Sequence, residues 1–434
     1  MNSRLAELAR IPSFVPLSAA TLMLGVAMSF TAPYLSLFGV EQAAMTPLML
    51  GLFMTLIAAS GVAASAWAGK WSDRRGHHRP LLLAALVLAA LGYLLLCFVR
   101  DYRLLLVIGV AFLGAGGSAL SLVFSFGRAV LPVRDEAERA FATATLRTLL
   151  SVAWVFGPSL GALVLAAASF HGLFLFAAAS FAGCAMILWR MHEVPGGALH
   201  STPEHVAGDP ASSLEVTTLT EPEVPLQPDY THASAPQRQI WRSVLALTLT
   251  GLAANATMIV LPLYIVHGLH GARIDVSIML GLGAFLEIPM MLALGARSAR
   301  LNKMRWLAAC CIVHVIYFIA MAAAGSIGTL IPMQALSAFV VAVTSCLGMT
   351  YIQDLMPRAP GAATALFFNA SRVGSILSGV LSGLLVASVG YRGTFLVCGA
   401  LAAGAFVLFA DPPWRQLFAR ARRWRVEREP PHGA

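Results

Sequence analysis

The sequence predicts an all-α membrane protein with twelve transmembrane helices in two pseudo-symmetric six-helix bundles. Three observations lead there. Of 434 residues, 58% are hydrophobic and only 11% are charged, against roughly 25% charged in soluble domains. So few charges cannot cover a water-soluble surface of this size, and lipid must solvate most of it. A polar turn, Gly69 to Arg79, lies between two long apolar runs and returns in degraded form 226 positions later, from Gly295 to Arg305. Gly69, Arg74 and Arg79 match Gly295, Arg300 and Arg305, while Asp73 and Gly76 have become Ala299 and Asn302. Finally, a stretch over 192–240, rich in Pro, Glu, Thr and Ser, divides the apolar runs six and six. A repeat at one offset around a linker reads as a duplicated membrane domain, and so as a transporter.

Each span needs about 20 apolar residues. The first, 14–38, is too long for a signal-peptide core and further spans follow it, so it is read as a retained helix. Spans 48–69 and 80–99 flank the charged turn, and 104–126 follows. The fifth, 140–167, contains Gly157-Pro158-Ser159-Leu160-Gly161, a kink with small faces that permits close helix crossing. The sixth, 170–191, closes an N-terminal bundle over 1–191. Residues 192–240 are expected to be a disordered cytoplasmic linker. The second bundle, 241–411, holds spans 241–267, 275–298, 303–324, 327–351, 361–388 and 391–411. A basic tail, 412–434, completes the chain. Two further echoes support the duplication. Leu131-Pro132 to Leu146-Arg147 corresponds to Met356-Pro357 to Ser371-Arg372 at an offset of 225, and Pro33 pairs with Pro262. The six cysteines all fall in apolar spans without metal-like spacing, as small packing residues do.

The net charge is +9, but its distribution argues against nucleic acid as partner. With both termini in the cytoplasm, only Arg100, Arg103, Arg273 and Arg392 fall outside, and Arg147 and Arg372 lie within spans. The remaining Lys and Arg all lie on the cytoplasmic side, which fixes the expected orientation. The tail arginines, around Trp414 and Trp424, suit an anionic inner leaflet.

Glu287 is the one acid near mid-bilayer. A bare carboxylate there costs several kcal/mol, so it must be paired, hydrated or protonated. That makes it the candidate proton-coupling group, with a structural partner for an intramembrane Arg as the plainer alternative. Arg147 and Arg372 occupy equivalent positions in spans five and eleven and stay charged. Each is either a hydrogen-bonding or gating residue or a side chain that snorkels to the cytoplasmic face. Sugars are held by planar amides, Arg and acids on their hydroxyls and by aromatic rings under their apolar faces. The candidate substrate-binding residues are therefore Arg147, Asn255, Gln334, Gln353, Asn369, Tyr34, Tyr264 and Trp154, although polar residues in membrane helices often only bridge helices. His314 is read as a helix-bridging residue. The candidate conformational gate comprises Gly69, Asp73, Arg74, Gly76, Arg79, Arg300, Asp354 and Arg372. No Walker loop, helical zinc pair or serine nucleophile motif occurs. Neither an enzyme nor an ATP-driven pump is expected, and no cofactor or metal is implied.

Gly69 to Arg79, with its acid and flanking basic residues, resembles the loop-2/3 signature of the major facilitator superfamily. Gly157-Pro158 with Gly161 is similar to the span-five motif of its antiporters. A narrower resemblance rests on Phe285-Leu286-Glu287-Ile288-Pro289, Ile352-Gln353-Asp354-Leu355-Met356-Pro357 and Gly361-Ala362-Ala363-Thr364. Pro33-Tyr34-Leu35-Ser36-Leu37-Phe38, Leu146-Arg147 and Ala153-Trp154-Val155-Phe156-Gly157-Pro158 share it. These runs look like the bacterial sugar efflux transporter family, and they cover nearly all of the chain but the linker and tail. The linker is longer than that family leads one to expect, the second charged turn lacks its acid at Ala299, and Arg372 is not part of the family's pattern. The resemblance implies the major facilitator fold and a monomeric inner-membrane carrier. It implies export of sugars or small glycosides by proton antiport, with substrate between the halves. The rivals are a drug–proton antiporter for amphipathic toxic compounds and a membrane sensor that keeps the fold but moves nothing.

Overall fold

A computed structural model describes residues 11, 13–75, 78–130, 136–191, 235–297, 301–357 and 360–410. Among these the chain is helical, with no strand. Helices α1 (Phe14–Glu41), α2 (Pro47–Arg75) and α3 (His78–Leu96) lead to α4 (102–130), which passes through a π-helical turn at Gly109–Gly114. Asp101 caps α4, accepting hydrogen bonds from the Arg103 and Leu104 amides at 3.0 and 3.1 Å. Next come α5 (136–167) and α6 (170–190). The second half holds α7 (Gln237–Gly268), α8 (Arg273–Arg297), α9 (Lys303–Ala323), α10 (Ile327–Leu355), α11 (360–389) and α12 (391–409). Asn302 caps α9 through the Arg305 amide at 3.1 Å. Large apolar side chains such as Trp67, Phe156, Leu163 and Val407 stand exposed on the flanks, where hydrocarbon rather than water solvates them.

Two pairs of helices run together without a loop. A continuous helix over 136–190 would extend for about 80 Å at 1.5 Å per residue, far beyond one bilayer crossing. It breaks at Ala168 and at Ser169, whose φ is 57°. The chain reverses there: Ala153 packs on Gly25 and Gly161 on Phe30, whereas Phe174 packs on Phe38 and Gly183 on Met23. So α5 runs parallel to α1 and α6 antiparallel. The second half repeats the device at Gly390, with φ 69°, a region that glycine enters without a Cβ clash. Ser371 lies beside Gly251, Tyr391 beside Gly268 and Gly404 beside Leu249, so α11 and α12 bracket α7 as α5 and α6 bracket α1.

The buried side chains show how the halves meet. At the end where α1 and α7 start, two separate cores form. One contains Leu17, Leu86, Phe126 and Phe181 from the first half, and the other Leu307, Val343, Ile352 and Phe409 from the second. At the opposite, far end a single core holds Phe30, Phe38 and Phe174 together with Tyr264, Phe318 and Phe395. The bundles therefore share one apolar core at the far end and keep separate ones at the near end.

Polar contacts close the far end as well. Arg273 of α8 meets Glu41 of α1 at 2.6 Å, with His267 of α7 3.7 Å from the same carboxylate. Thr55 of α2 donates to the Ile376 carbonyl of α11 at 2.9 Å and accepts from the Val380 amide at 2.8 Å. Backbones touch here: a Cβ on Gly51 would lie 2.6 Å from the Gly379 carbonyl oxygen and 2.9 Å from Gly383 Cα. We expect Gly51→Val to force α2 from α11. In a Ser277→Cys reporter, labelling by a membrane-impermeant maleimide should then rise several-fold. Unchanged labelling would show that this crossing does not hold the end shut.

Candidate functional site

A cavity of about 440 Å³ lies among α7, α8, α9 and α10, with Trp154 of α5 contributed by the first bundle. Its size is that of an ordinary small-molecule site. Polar and aromatic groups on its wall include Trp154, Asn255, Glu287, His314, Tyr317, Gln334 and Ser337. Glu287 sits fourteen residues into α8, about 21 Å along a helix rising 1.5 Å per residue. It is half-buried, and among the described residues no cation or hydrogen-bond donor meets it. The Asn255 amide donates to the Gly251 carbonyl at 2.7 Å, which fixes its orientation on α7. Met258, Leu261, Leu280, Ile288 and Val341 supply the apolar part of the wall. The site can therefore offer a ring platform, amide donors and acceptors, and one carboxyl to a polar ligand.

Three of the predicted binding residues, Trp154, Asn255 and Gln334, thus come together with the candidate proton-coupling group Glu287. Others lie elsewhere. The Tyr34 hydroxyl bonds the Pro158 carbonyl at 2.9 Å and also Ser277, sealing α1, α5 and α8 below the cavity. Tyr264 donates to the Ala324 carbonyl at 3.0 Å and is fully buried against Phe395. Both tyrosines bridge helices, because a buried hydroxyl takes the nearest backbone acceptor. Asn369 is exposed on α11, and Gln353 is half-buried in the last turn of α10. Arg147 lies in α5, seven residues before Trp154 and so on the same helix face. Its side chain lies outside the described part of the structure.

The gate candidates divide similarly. Asp73 and Arg74 occupy the last turn of α2, and Gly69 has open space where a Cβ would be. Gly76 and Arg300 lie outside the described residues, as do most of the linker and the tail from residue 411. Arg79 donates to the Trp189 carbonyl, joining α3 to α6. Asp354 pairs with Lys303 at 2.6 Å, a bond within the second bundle rather than across the halves. Arg372 lines a gap beside Gly61 and Ser65 of α2 and Gly114 and Gly117 of α4.

The register between bundles adds information that the sequence does not carry. Along the antiparallel α5–α8 pair, Ser277 bonds the Pro158 carbonyl at 2.8 Å, and Gly281 approaches the Val155 carbonyl. Extending that register brings Glu287 level with the turn that carries Arg147. The α2–α11 pair is its counterpart, with Gly51 at Gly379 and Arg372 at Gly61. Gly61 is the residue 226 positions before Glu287, and Arg372 follows Arg147 by 225.

Several contributors escaped sequence reasoning. Glu41, Arg273 and Ser277 close the far end, yet they read as ordinary loop and helix-start residues. The small residues Gly51, Gly379 and Gly383 let α2 and α11 cross closely. Among the described residues His314 Nδ1 has no hydrogen-bond partner, so no helix bridge runs through it there. It lines the cavity instead.

Over residues 17–379, and again over 243–431, the sequence matches the model of a known family. The chain belongs to the Major Facilitator Superfamily. This superfamily member is 38% identical over 397 residues to a Deinococcus radiodurans protein named for sugar efflux, across 91% of this chain and 97% of that one. It is 31% identical to sugar efflux transporter A of Dickeya chrysanthemi, over 88% of this chain and 91% of the relative. With sugar efflux transporter C of Escherichia coli K12 it shares 29%, over 86% and 88%. Among solved structures, nucleoside transporter NupG superposes with a TM-score of 0.72 at 12% identity, covering 92% of this chain and 99% of that one. A bacterial homolog of the human lysosomal transporter Spinster gives 0.68 at 13%, covering 97% and 99%. At such identities these two establish the fold alone.

Proposed function

We propose that this multi-pass membrane protein exports sugars or small glycosides across the bacterial inner membrane in exchange for protons. The observation that carries the reading is the cavity in which Glu287 stands with Asn255, Gln334 and Trp154. Amides and a carboxyl serve hydroxyls, an indole face serves the apolar side of a sugar ring, and the carboxyl carries a proton. Relatives named for sugar efflux support the same substrate class. The separate near-end cores and shared far-end core suit alternating access, in which the halves rock about a central site. With both termini in the cytoplasm, this form is open inward. One proton moving down 100 mV supplies about 2.3 kcal/mol, enough for a roughly 50-fold substrate gradient.

In this scheme Arg147 is the partner of Glu287 when no substrate is bound. The α5–α8 register supports it, and so does the pseudo-symmetric approach of Arg372 to Gly61. Substrate and proton then compete with the arginine for the carboxylate, so the charge is never left bare in the membrane. The charged turn at the end of α2 acts at the other stage. Asp73 and the arginines beside it clamp the near end when the carrier faces outward. We expect Asp73→Asn to cut transport severely while insertion and expression stay intact. Normal transport by that variant would remove the clamp.

Counterflow in proteoliposomes tests the function itself. Labelled sugar should enter vesicles loaded with the same unlabelled sugar, and an amphipathic drug should neither be carried nor compete. Binding of sugar without counterflow would indicate a sensor. Drug counterflow alone would indicate a drug antiporter.

A further inference from the structure

Six buried side-chain polar atoms lack a hydrogen-bond partner among the described residues, and three of them line the one cavity described above. They are His314 Nδ1, Tyr317 Oη and Gln334 Nε2. Their side chains are only 3%, 1% and 3% exposed. Buried polar groups are nearly always bonded, so a cluster of unmet ones calls for a ligand or ordered water. The three are not loose. The His314 ring stacks on Phe318 at 4.5 Å, and Tyr317 meets the same ring edge-on at 5.2 Å. Tyr317 Oη faces Ser337 and Gln334 without reaching good bonding geometry to either. α8 presents Gly283 beside this amide, where a Cβ would lie 3.6 Å from Gln334 Oε1 without a clash.

We propose that His314, Tyr317 and Gln334, with Ser337, form a hydroxyl-reading subsite in the second bundle that selects which sugar the carrier accepts. The proposal rests on the sugar-export reading and refines it. The donor set fits the ligand. An amide N–H donates, a phenol and a serine hydroxyl both donate and accept, and one imidazole nitrogen does either. Neighbouring sugar hydroxyls need such mixed partners, whereas an apolar or cationic drug would leave all of them unmet. Trp154, on the facing bundle, covers the ring from the other side. Because the four polar groups lie on α9 and α10, substrate remains with the second bundle while the first moves over it. The subsite reads individual hydroxyls, because a site built to bond a hydroxyl rejects analogues that lack it.

The test uses full-length protein in detergent and a panel of mono- and disaccharides with their monodeoxy derivatives, read by equilibrium binding. Wild-type protein should bind one sugar best and lose roughly tenfold or more in affinity for at least one deoxy derivative. Tyr317→Phe removes a single oxygen and keeps the packing. It should bind the parent sugar roughly five- to tenfold more weakly, as for one lost hydrogen bond. It should also no longer distinguish the parent from the matching deoxy sugar. His314→Asn and Gln334→Ala should shift preference toward other deoxy derivatives, with thermal unfolding confirming that each variant is folded. Unchanged affinity and unchanged discrimination in all three folded variants would overturn the subsite and assign the cluster to ordered water. Wild-type protein that binds nothing in the panel but binds amphipathic cations would overturn the sugar reading as well, so the two failures differ.

Discussion

Glu287→Gln should abolish sugar export driven by a pH gradient while leaving sugar exchange intact. The amide keeps the size of the carboxyl and mimics its protonated form, but it can neither load nor release a proton. Net antiport requires that step once per cycle. Exchange of labelled for unlabelled sugar moves no net proton, so it survives. The position makes the prediction sharp, because Glu287 is half-buried in the cavity wall. Loss of exchange together with driven export would instead point to sugar binding or structural support, and measuring sugar affinity in detergent would separate those two.

The second large effect concerns Arg147. Breaking a desolvated pair on one side leaves a charge in low dielectric, at about 3–5 kcal/mol. The two sides are unequal. A carboxylate left alone can take up a proton, whereas an arginine cannot release one. Glu287→Ala should therefore cost more thermal stability than Arg147→Ala, and the double variant should regain part of the loss. Glu287→Gln, which keeps an oxygen for the guanidinium, should be mildest. A double-mutant cycle measures the coupling, expected at about 0.5–3 kcal/mol for residues in contact. Strict additivity would mean that the two never meet.

Much of the fold was legible because the membrane imposes length and composition on every helix. Even the uninterrupted α5–α6 and α11–α12 pairs could be divided, since no single helix of their length fits one bilayer. The charged turn and the Pro–Arg echoes revealed the duplication for a similar reason: topology and helix breaks leave marks in linear spacing. The site was harder. Glu287 stood out because its cost in lipid is large, and Trp154, Asn255 and Gln334 join it in the cavity. Tyr34 and Tyr264 look like the same kind of residue on paper. Their hydroxyls are instead used up by the Pro158 and Ala324 carbonyls. Which polar residue keeps a free face depends on helix rotation and inter-bundle register, and neither is encoded in local sequence. His314 illustrates the converse, since a lone histidine in an apolar helix gives no sign of whether it bridges helices or faces a cavity. The far-end seal through Glu41, Arg273 and Thr55 arises between distant segments and left no sequence signal.

The most direct test of proton-coupled sugar export is made in proteoliposomes with equal labelled sugar on both sides and an imposed pH gradient. The account predicts that sugar moves against its own gradient toward the side from which protons leave, and that a protonophore collapses the accumulation. Sugar that only equilibrates, at the same rate with or without the gradient, would contradict it.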